Sequence, residues 1–224
     1  MKNKEISYEI IDFSGETNVQ FRTSVDPGSY IPTHWHRAIE IIYMQEGSLD
    51  VTVESESFTI HEGDCILVNG NVLHSTKCTA PNTAILLQIP LDFMAKYIPD
   101  LGQLIFLWDY RTEDPVKKTK LMMLKTTLEQ LQVINDIRPD GYLLRFNSLI
   151  FELLFQLYHN FSVKVFHQNI NQRQKEMDRL DPVLNYIAEH YKEPISLDEI
   201  ADIACLQTGY FCRFFKKKMG VTFL

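Results

Sequence analysis

His34, His36 and Glu40 sit close together in the run from Gly28 to Gly47, and His74 follows further along the chain. Side chains of an extended strand alternate between faces, so this spacing places His34, His36 and Glu40 on one side. Two imidazoles and a carboxylate on one face suit a divalent transition metal, with His74 available as a fourth ligand. The same four groups could instead line a pocket and hydrogen-bond a polar organic effector. A third reading leaves them as histidines satisfied by neighbouring backbone and water. Trp35 alternates with the histidines and Tyr43 falls off their face. Trp108 and Tyr110 could edge a pocket, although core packing is the simpler fate of both. His61, His159, His167 and His190 have no ligand-type residue at matching spacing and receive no role.

A second chemistry is written at the other end. From Cys205 to Leu224 there are four basic residues (Arg213, Lys216, Lys217 and Lys218) and no acidic one, in a chain whose net charge is −7. Phe211, Phe214 and Phe215 mark the inward face of a helix expected from Thr208 to Met219 and ended by Gly220. Gly209, Cys212, Arg213 and Lys216 then recur on its outward face. Local positive charge on an exposed helix suits contact with phosphates, for which Lys216 and Lys217 are placed. The fork of Arg213 can bind one guanine edge at two points. The simpler alternative is a set of solvated lysines on a helical hairpin.

The elements that must position these groups divide the chain in two. Up to about Ile89 the pattern is that of short strands: IleIleAspPhe (10–13), ValGlnPheArg (19–22), GluIleIleTyrMet (40–44), LeuAspValThrVal (49–53), SerPheThrIle (57–60), CysIleLeuVal (65–68) and AlaIleLeuLeuGlnIle (84–89). Gly, Pro, Asn and Asp separate them at short intervals, which predicts a sandwich or barrel rather than alternating strands and helices. After Pro90 the pattern turns helical, over residues 115–136 and 141–161. In the second segment Leu143, Leu144, Phe146, Leu149, Ile150, Leu153, Leu154 and Leu157 cover more than one face, so that helix has to bury two sides. The polar stretch 167–176 reads as a linker. Beyond it, Asp181 with Pro182 signals a helix start, and Leu184, Ile187, Ala188 and Tyr191 recur at helical spacing up to Pro194. Ser196 with Glu199 fits a capping box, opening a short helix whose inward stripe is Leu197, Ile200, Ala201 and Ala204. Two short helices with alanines at their crossing can lay the second one in a major groove.

The run from Leu197 to Phe223 resembles the first helix-turn-helix of the AraC/XylS family of transcriptional regulators, and AspProValLeuAsnTyrIleAlaGluHisTyr before it resembles that domain's opening helix. Gly28, His34, His36, Glu40 and Gly47 resemble the first cupin motif. A second cupin motif is recognisable from Gly63 to His74, with Asn69 and Asn71 where the family has Pro and Gly. Asn tolerates a left-handed turn, so the turn is expected to survive. Gln207 stands where the family often has a small capping residue, and Thr208 is expected to cap instead. The resemblance implies a mainly β N-terminal cupin barrel (a double-stranded β-helix), then an α-helical dimerisation segment, then an all-α helix-turn-helix domain. The expected bounds are 1–110, 111–166 and 179–224, with a linker at 167–178. The family's reader has two helix-turn-helix modules and this chain stops at Leu224, so weakened operator binding is expected.

The resemblance therefore implies a ligand-responsive regulator rather than an enzyme, with no catalytic residues. His34, His36, Glu40 and His74 form its effector or metal pocket. Thr208, Gly209, Cys212, Arg213, Lys216 and Lys217 are its contacts to double-stranded DNA. A homodimer is implied. Sugars are common effectors in the family, but these pocket residues do not choose between a sugar, an acid and an amine. Two other readings stay open: a metal-dependent cupin enzyme (a dioxygenase or isomerase), and a dimerising modulator that does not read an operator.

Bulk composition fits this reading. A pI of about 5.5 argues against a chain coated along its length in nucleic acid but permits a small basic reading head. The N-terminus shows no apolar run of signal-peptide length, and no stretch approaches the ~20 apolar residues of a membrane span. With no close Cys pair, Cys65, Cys78, Cys205 and Cys212 are expected to be reduced, mostly buried thiols in a cytoplasmic protein.

Overall fold

The structure is a computed structural model, and it describes residues 7–13, 15–165, 179, 180, 182–184, 186, 187, 190, 193–219, 222 and 223. The expected linker at 167–178, together with Asp181, Ala188, Tyr191 and Gly220, lies outside the described residues. The chain forms two compact units, Ile10–Val165 and a smaller one of Met1–Glu9 with Phe166–Leu224. A two-residue strand, β1 (Ser7–Tyr8), falls in the smaller unit.

The larger unit is built on two antiparallel sheets. One has the order β2-β9-β4-β7, from β2 (Gln20–Asp26), β9 (Asn82–Pro90), β4 (Ala38–Glu46) and β7 (Cys65–Val68). The other runs β3-β8-β5-β6, from β3 (Tyr30–Trp35), β8 (His74–Lys77), β5 (Ser48–Val53) and β6 (Glu56–His61). The sequence of β4, AlaIleGluIleIleTyrMetGlnGlu, is almost continuously apolar, as expected of a strand covered on both faces. Its alternation sorts the two cores. Ile39 and Ile41 pack with Ile85, Leu87, Ile89 and Cys65 against the helices. Ile42 and Met44 point the other way and pack with Ile66, Ala84, Leu49, Val51 and Ile60 between the sheets. Glu40 and Gln88 share the parity of this inward set, and they are directly opposite each other in the β4–β9 register.

Helix α1 (Leu91–Ala95) leads into α2 (Pro115–Ile137) and α3 (Tyr142–Gln156), the last continuing as a π-helical turn over Leu157–Phe161. Asp114 caps α2 by accepting the Val116 and Lys117 N–H groups, with Pro115 in the first turn where no N–H is needed. Leu121, Leu124, Leu128 and Leu131 from α2, with Phe146, Leu149, Ile150, Leu153, Leu154 and Leu157, bury one side of the helical pair on the first sheet. The other side of α3 stays open: Leu144, Phe151, Phe155 and Tyr158 are exposed. Short strands β10 (Leu104–Phe106) and β11 (Ser162–Lys164) pair beside the helices.

Three expectations need correction. Residues Ile10 to Phe13 are irregular rather than a strand, and Ile10 is exposed: an apolar run without a ladder partner does not hold β-structure. Strand β8 is absent from the expected strands because the polar HisSerThrLys run hides it, and β3 reaches back through Pro32 to Tyr30, ahead of the histidines. The segment from His34 to Glu40 is not one strand either. β3 stops at Trp35, the chain bends at Arg37, and β4 starts at Ala38.

In the smaller unit α4 (Leu197–Ile203) is capped by Ser196, whose Oγ accepts the Glu199 N–H at 3.2 Å. The Glu199 carboxylate accepts the Tyr186 hydroxyl at 2.5 Å. Cys205 takes the left-handed conformation (φ 52°) in the turn that leads to α5 (Thr208–Met219). Ile200, Ala201 and Ala204 are buried with Phe211, Phe214, Phe215 and Met219. The Phe223 ring meets Phe211 and Phe215 edge-on.

Candidate metal centre and nucleic-acid interface

The bend at Arg37 brings the histidines together by a different route from a single strand. His34 is near the end of β3, directly paired with His74 at the start of β8 across a local bulge. His36 occupies the corner between β3 and β4, and its carbonyl accepts the Asn71 N–H at 2.9 Å. Asn71 has φ 64°, so the left-handed turn that leads into His74 is kept with Asn in it. Asn69 grips the Phe106 backbone with both ends of its amide, at 2.7 and 2.9 Å. Gly47 closes the β4–β5 turn at φ 78°, and a Cβ there would lie 2.8 Å from the Pro81 carbonyl oxygen.

One ligand nitrogen from each of His34, His36 and His74 lies within 4.8 Å of the others, and all three residues are buried. The ring centroids are 4.2 Å apart for His34–His74, 4.9 Å for His36–His74 and 5.8 Å for His34–His36. Each ring has its Nδ1 on a backbone carbonyl: Pro32 at 2.8 Å, Ala38 at 3.1 Å and Val72 at 2.9 Å. A carbonyl only accepts, so each Nδ1 carries a proton, which leaves Nε2 as the nitrogen that can ligate a metal. This is the orientation that protein partners impose on metal-binding histidines.

Glu40 stands beside two of them. Its Oε2 is 3.3 Å from His36 Nε2 and its Oε1 is 3.8 Å from His74 Nε2, which has no hydrogen-bond partner among the described residues. Burial works against the Glu40 charge, yet the His36 contact, the neighbouring imidazoles and Gln88 together hold its carboxyl down to about 2. Burial pushes His74 down to about 4, against the attraction of Glu40. At neutral pH the site thus sets a buried carboxylate beside the unprotonated Nε2 of His74, two acceptors with no proton between them. A cation satisfies that set, and the residues fit a divalent transition metal. The histidine triad forms the compact group, and Glu40 flanks it.

Sequence reasoning missed Gln88. Its Nε2 donates to Glu40 Oε2 at 2.7 Å inside the sheet. The available signal was a single amide in the apolar run AlaIleLeuLeuGlnIle. Trp35 is buried, Trp108 donates its indole N–H to the Cys65 carbonyl, and the Tyr110 ring lies 6.0 Å from Phe58. Tyr43 donates to Glu129 on α2. Cys65 and Cys78 are buried and free; Cys212 is half-buried, but Cys205 is exposed, a departure from the expected burial.

On α5, Gly209, Arg213, Lys216 and Lys217 are exposed and Cys212 is half-buried, opposite the phenylalanine face. Thr208 does not cap the helix with its side chain: the hydroxyl donates to Asp198 at 2.8 Å, while the Gln207 carbonyl accepts the Tyr210 and Phe211 N–H groups.

Residues 21–90 match the family described as the cupin domain. Residues 187–224 match the bacterial regulatory helix-turn-helix proteins, AraC family. The chain joins a cupin domain to an AraC-family helix-turn-helix. It is similar to the uncharacterized HTH-type transcriptional regulator YdeC of Bacillus subtilis (strain 168), at 24% identity over 99% of this chain and 80% of that protein. It is also similar to the probable transcriptional regulator LumQ of Photobacterium leiognathi, at 27% identity over 84% of this chain and 68% of that protein. Among solved structures, an RmlC-like cupin from Shewanella frigidimarina NCIMB 400 is 26% identical, with a TM-score of 0.31 over 34% of this chain and 70% of that one. In the cupin domain the paired imidazoles lie on the barrel strands, and in the AraC-type unit the basic residues lie on the second helix of the motif.

Proposed function

We propose that this protein is a ligand-responsive transcriptional regulator whose cupin domain senses a small molecule and whose AraC-type helix-turn-helix reads double-stranded DNA. The observation that carries this is the pairing, in one chain, of a buried polar site with a helix that is basic outside and phenylalanine-rich inside. A capped helix-turn-helix with an acid-free second helix has no use in a cupin enzyme, so the regulator is favoured over a dioxygenase or isomerase. Thr208, Gly209, Cys212, Arg213, Lys216 and Lys217 meet the DNA, with Arg213 at a base edge and the lysines on phosphates. His34, His36, His74 and Glu40 hold a divalent transition metal, which would supply a Lewis-acidic anchor for the effector.

The protein works as a homodimer in the cytoplasm. Leu144, Phe151, Phe155 and Tyr158 are spaced seven, four and three residues apart along α3 and its π-helical continuation, the rhythm of a helix–helix seam. Tyr97 extends that surface, its ring 4.8 Å from Phe151. The proposed organisation is a sensor barrel over 1–110, a dimerisation segment over 111–166, a linker at 167–178 and the reader at 179–224. The test of the function is selection from a pool of random DNA duplexes at low salt. A recurring motif that is not recovered by Arg213→Ala is expected. Recovery indistinguishable from the input pool would contradict the reading.

A further inference from the structure

Gln88 lies on β9 directly across from Glu40, on the strand face that looks between the two sheets. It is buried, and its Nε2 donates to Glu40 Oε2 at 2.7 Å. Its Oε1 is buried too and has no hydrogen-bond partner among the described residues. An unsatisfied buried carbonyl is costly, and turning the amide over would set that oxygen against a carboxylate. The orientation is therefore dictated by Glu40 alone. Glu40 Oε2 is thereby engaged by Gln88 at 2.7 Å, with His36 Nε2 at 3.3 Å beside it. Glu40 Oε1 is left towards His74 Nε2, at 3.8 Å.

From this we infer that Gln88 is a positioning residue of the metal centre: it pins one oxygen of Glu40, so that the carboxylate offers only Oε1 to an ion held by His34, His36 and His74. The inference rests on the proposal that this site takes a metal. Gln88 does not touch the ion. It restricts the carboxylate to a single-oxygen ligand and removes the freedom to swing between one- and two-oxygen binding. Losing such outer partners typically weakens metal binding by about 10- to 100-fold. Leucine at 88 keeps the volume of the side chain and removes its donor.

The test is calorimetric titration of the chelator-treated full chain with Co(II) chloride, read together with the visible d–d spectrum of the bound ion. Four proteins are compared: wild type, Gln88→Leu, Glu40→Gln and the double variant. Wild type is expected to bind Co(II), and Gln88→Leu to bind it about 10- to 100-fold more weakly with altered d–d bands. In the Glu40→Gln background the Gln88→Leu change should have almost no further effect on affinity or spectrum, since the carboxylate it orients is gone. A residue that merely packs would weaken binding equally in both backgrounds and leave the bands unmoved, and that result overturns the inference. So does a Gln88→Leu variant that matches wild type. Wild type failing to bind Co(II) removes the metal site itself and the role of Gln88 with it. The conservative variant Gln88→Asn, with a shorter amide, is expected to restore part of the spectrum only if it reaches Glu40. It serves as a folded control if Gln88→Leu does not fold.

Discussion

At the scale of residues, the site is defined by protons that are missing. Three rings give their Nδ1 hydrogens to backbone carbonyls, and a buried carboxylate faces what remains. This arrangement makes the metal-free protein sensitive to acid. His74 is held at about 4 against an ordinary 6.5, so between those values the unfolded chain binds a proton there that the folded one refuses. Stability is therefore lost as pH falls from 6.5 towards 4, by up to roughly 3 kcal/mol from this residue. Glu40, held at about 2 against an ordinary 4.5, contributes stability above 4.5 that is lost as pH falls towards 2. Urea midpoints of the chelator-treated protein across pH 4 to 7 should thus drop on acidification, and His74→Asn should flatten that part of the curve. An equal slope in the variant would show that the proton is taken up elsewhere. The four ligand-type residues were legible in the sequence as a set. Their convergence was read from strand alternation, whereas it comes from the corner at His36–Arg37 and the β3–β8 pairing. Gln88 was not legible, because only the β4–β9 register reveals that it stands across from Glu40.

Elements follow the sequence more closely where the pattern is long. Helices α2 and α3 lie where the leucine periodicity puts them, and α4 and α5 fall between their capping and turn signals. Short polar strands such as β8 carry no periodicity of their own and exist because neighbouring strands offer a ladder. The two-sided hydrophobicity of α3 has its physical counterpart: one side is sealed on the sheet while Leu144, Phe151, Phe155 and Tyr158 stay exposed. Phe155→Asp puts a charge at the middle of that stripe without touching the core. It is expected to convert the proposed dimer to monomer in sedimentation velocity at micromolar concentration, with an unchanged circular dichroism spectrum. A wild-type protein that already sediments as a monomer would remove the proposed seam.

For the molecule as a whole, an acidic body with a basic helix determines how DNA binding should depend on salt. Among the described residues no helix is long and apolar enough to cross a membrane. Each phosphate neutralised contributes about −0.9 to the slope of log affinity against log salt. Replacing Lys216 or Lys217 by alanine should therefore make the slope shallower by roughly 1 each and weaken all sequences alike. Arg213→Ala should instead cost about 1–3 kcal/mol at one base position and relax the preference there. If the two kinds of variant behave identically, α5 does not sit in a groove as proposed. In the proposed function the sensing half depends on His34, His36 and His74 holding a cation. The measurement that tests this most directly is elemental analysis of protein purified without chelator or affinity metal, alongside a His34→Ala/His36→Ala double variant. About one transition-metal ion per chain in the wild type and none in the variant is the predicted result. Metal-free wild-type protein that still binds its DNA would contradict the metal centre and leave these histidines as hydrogen-bonding groups for an organic effector.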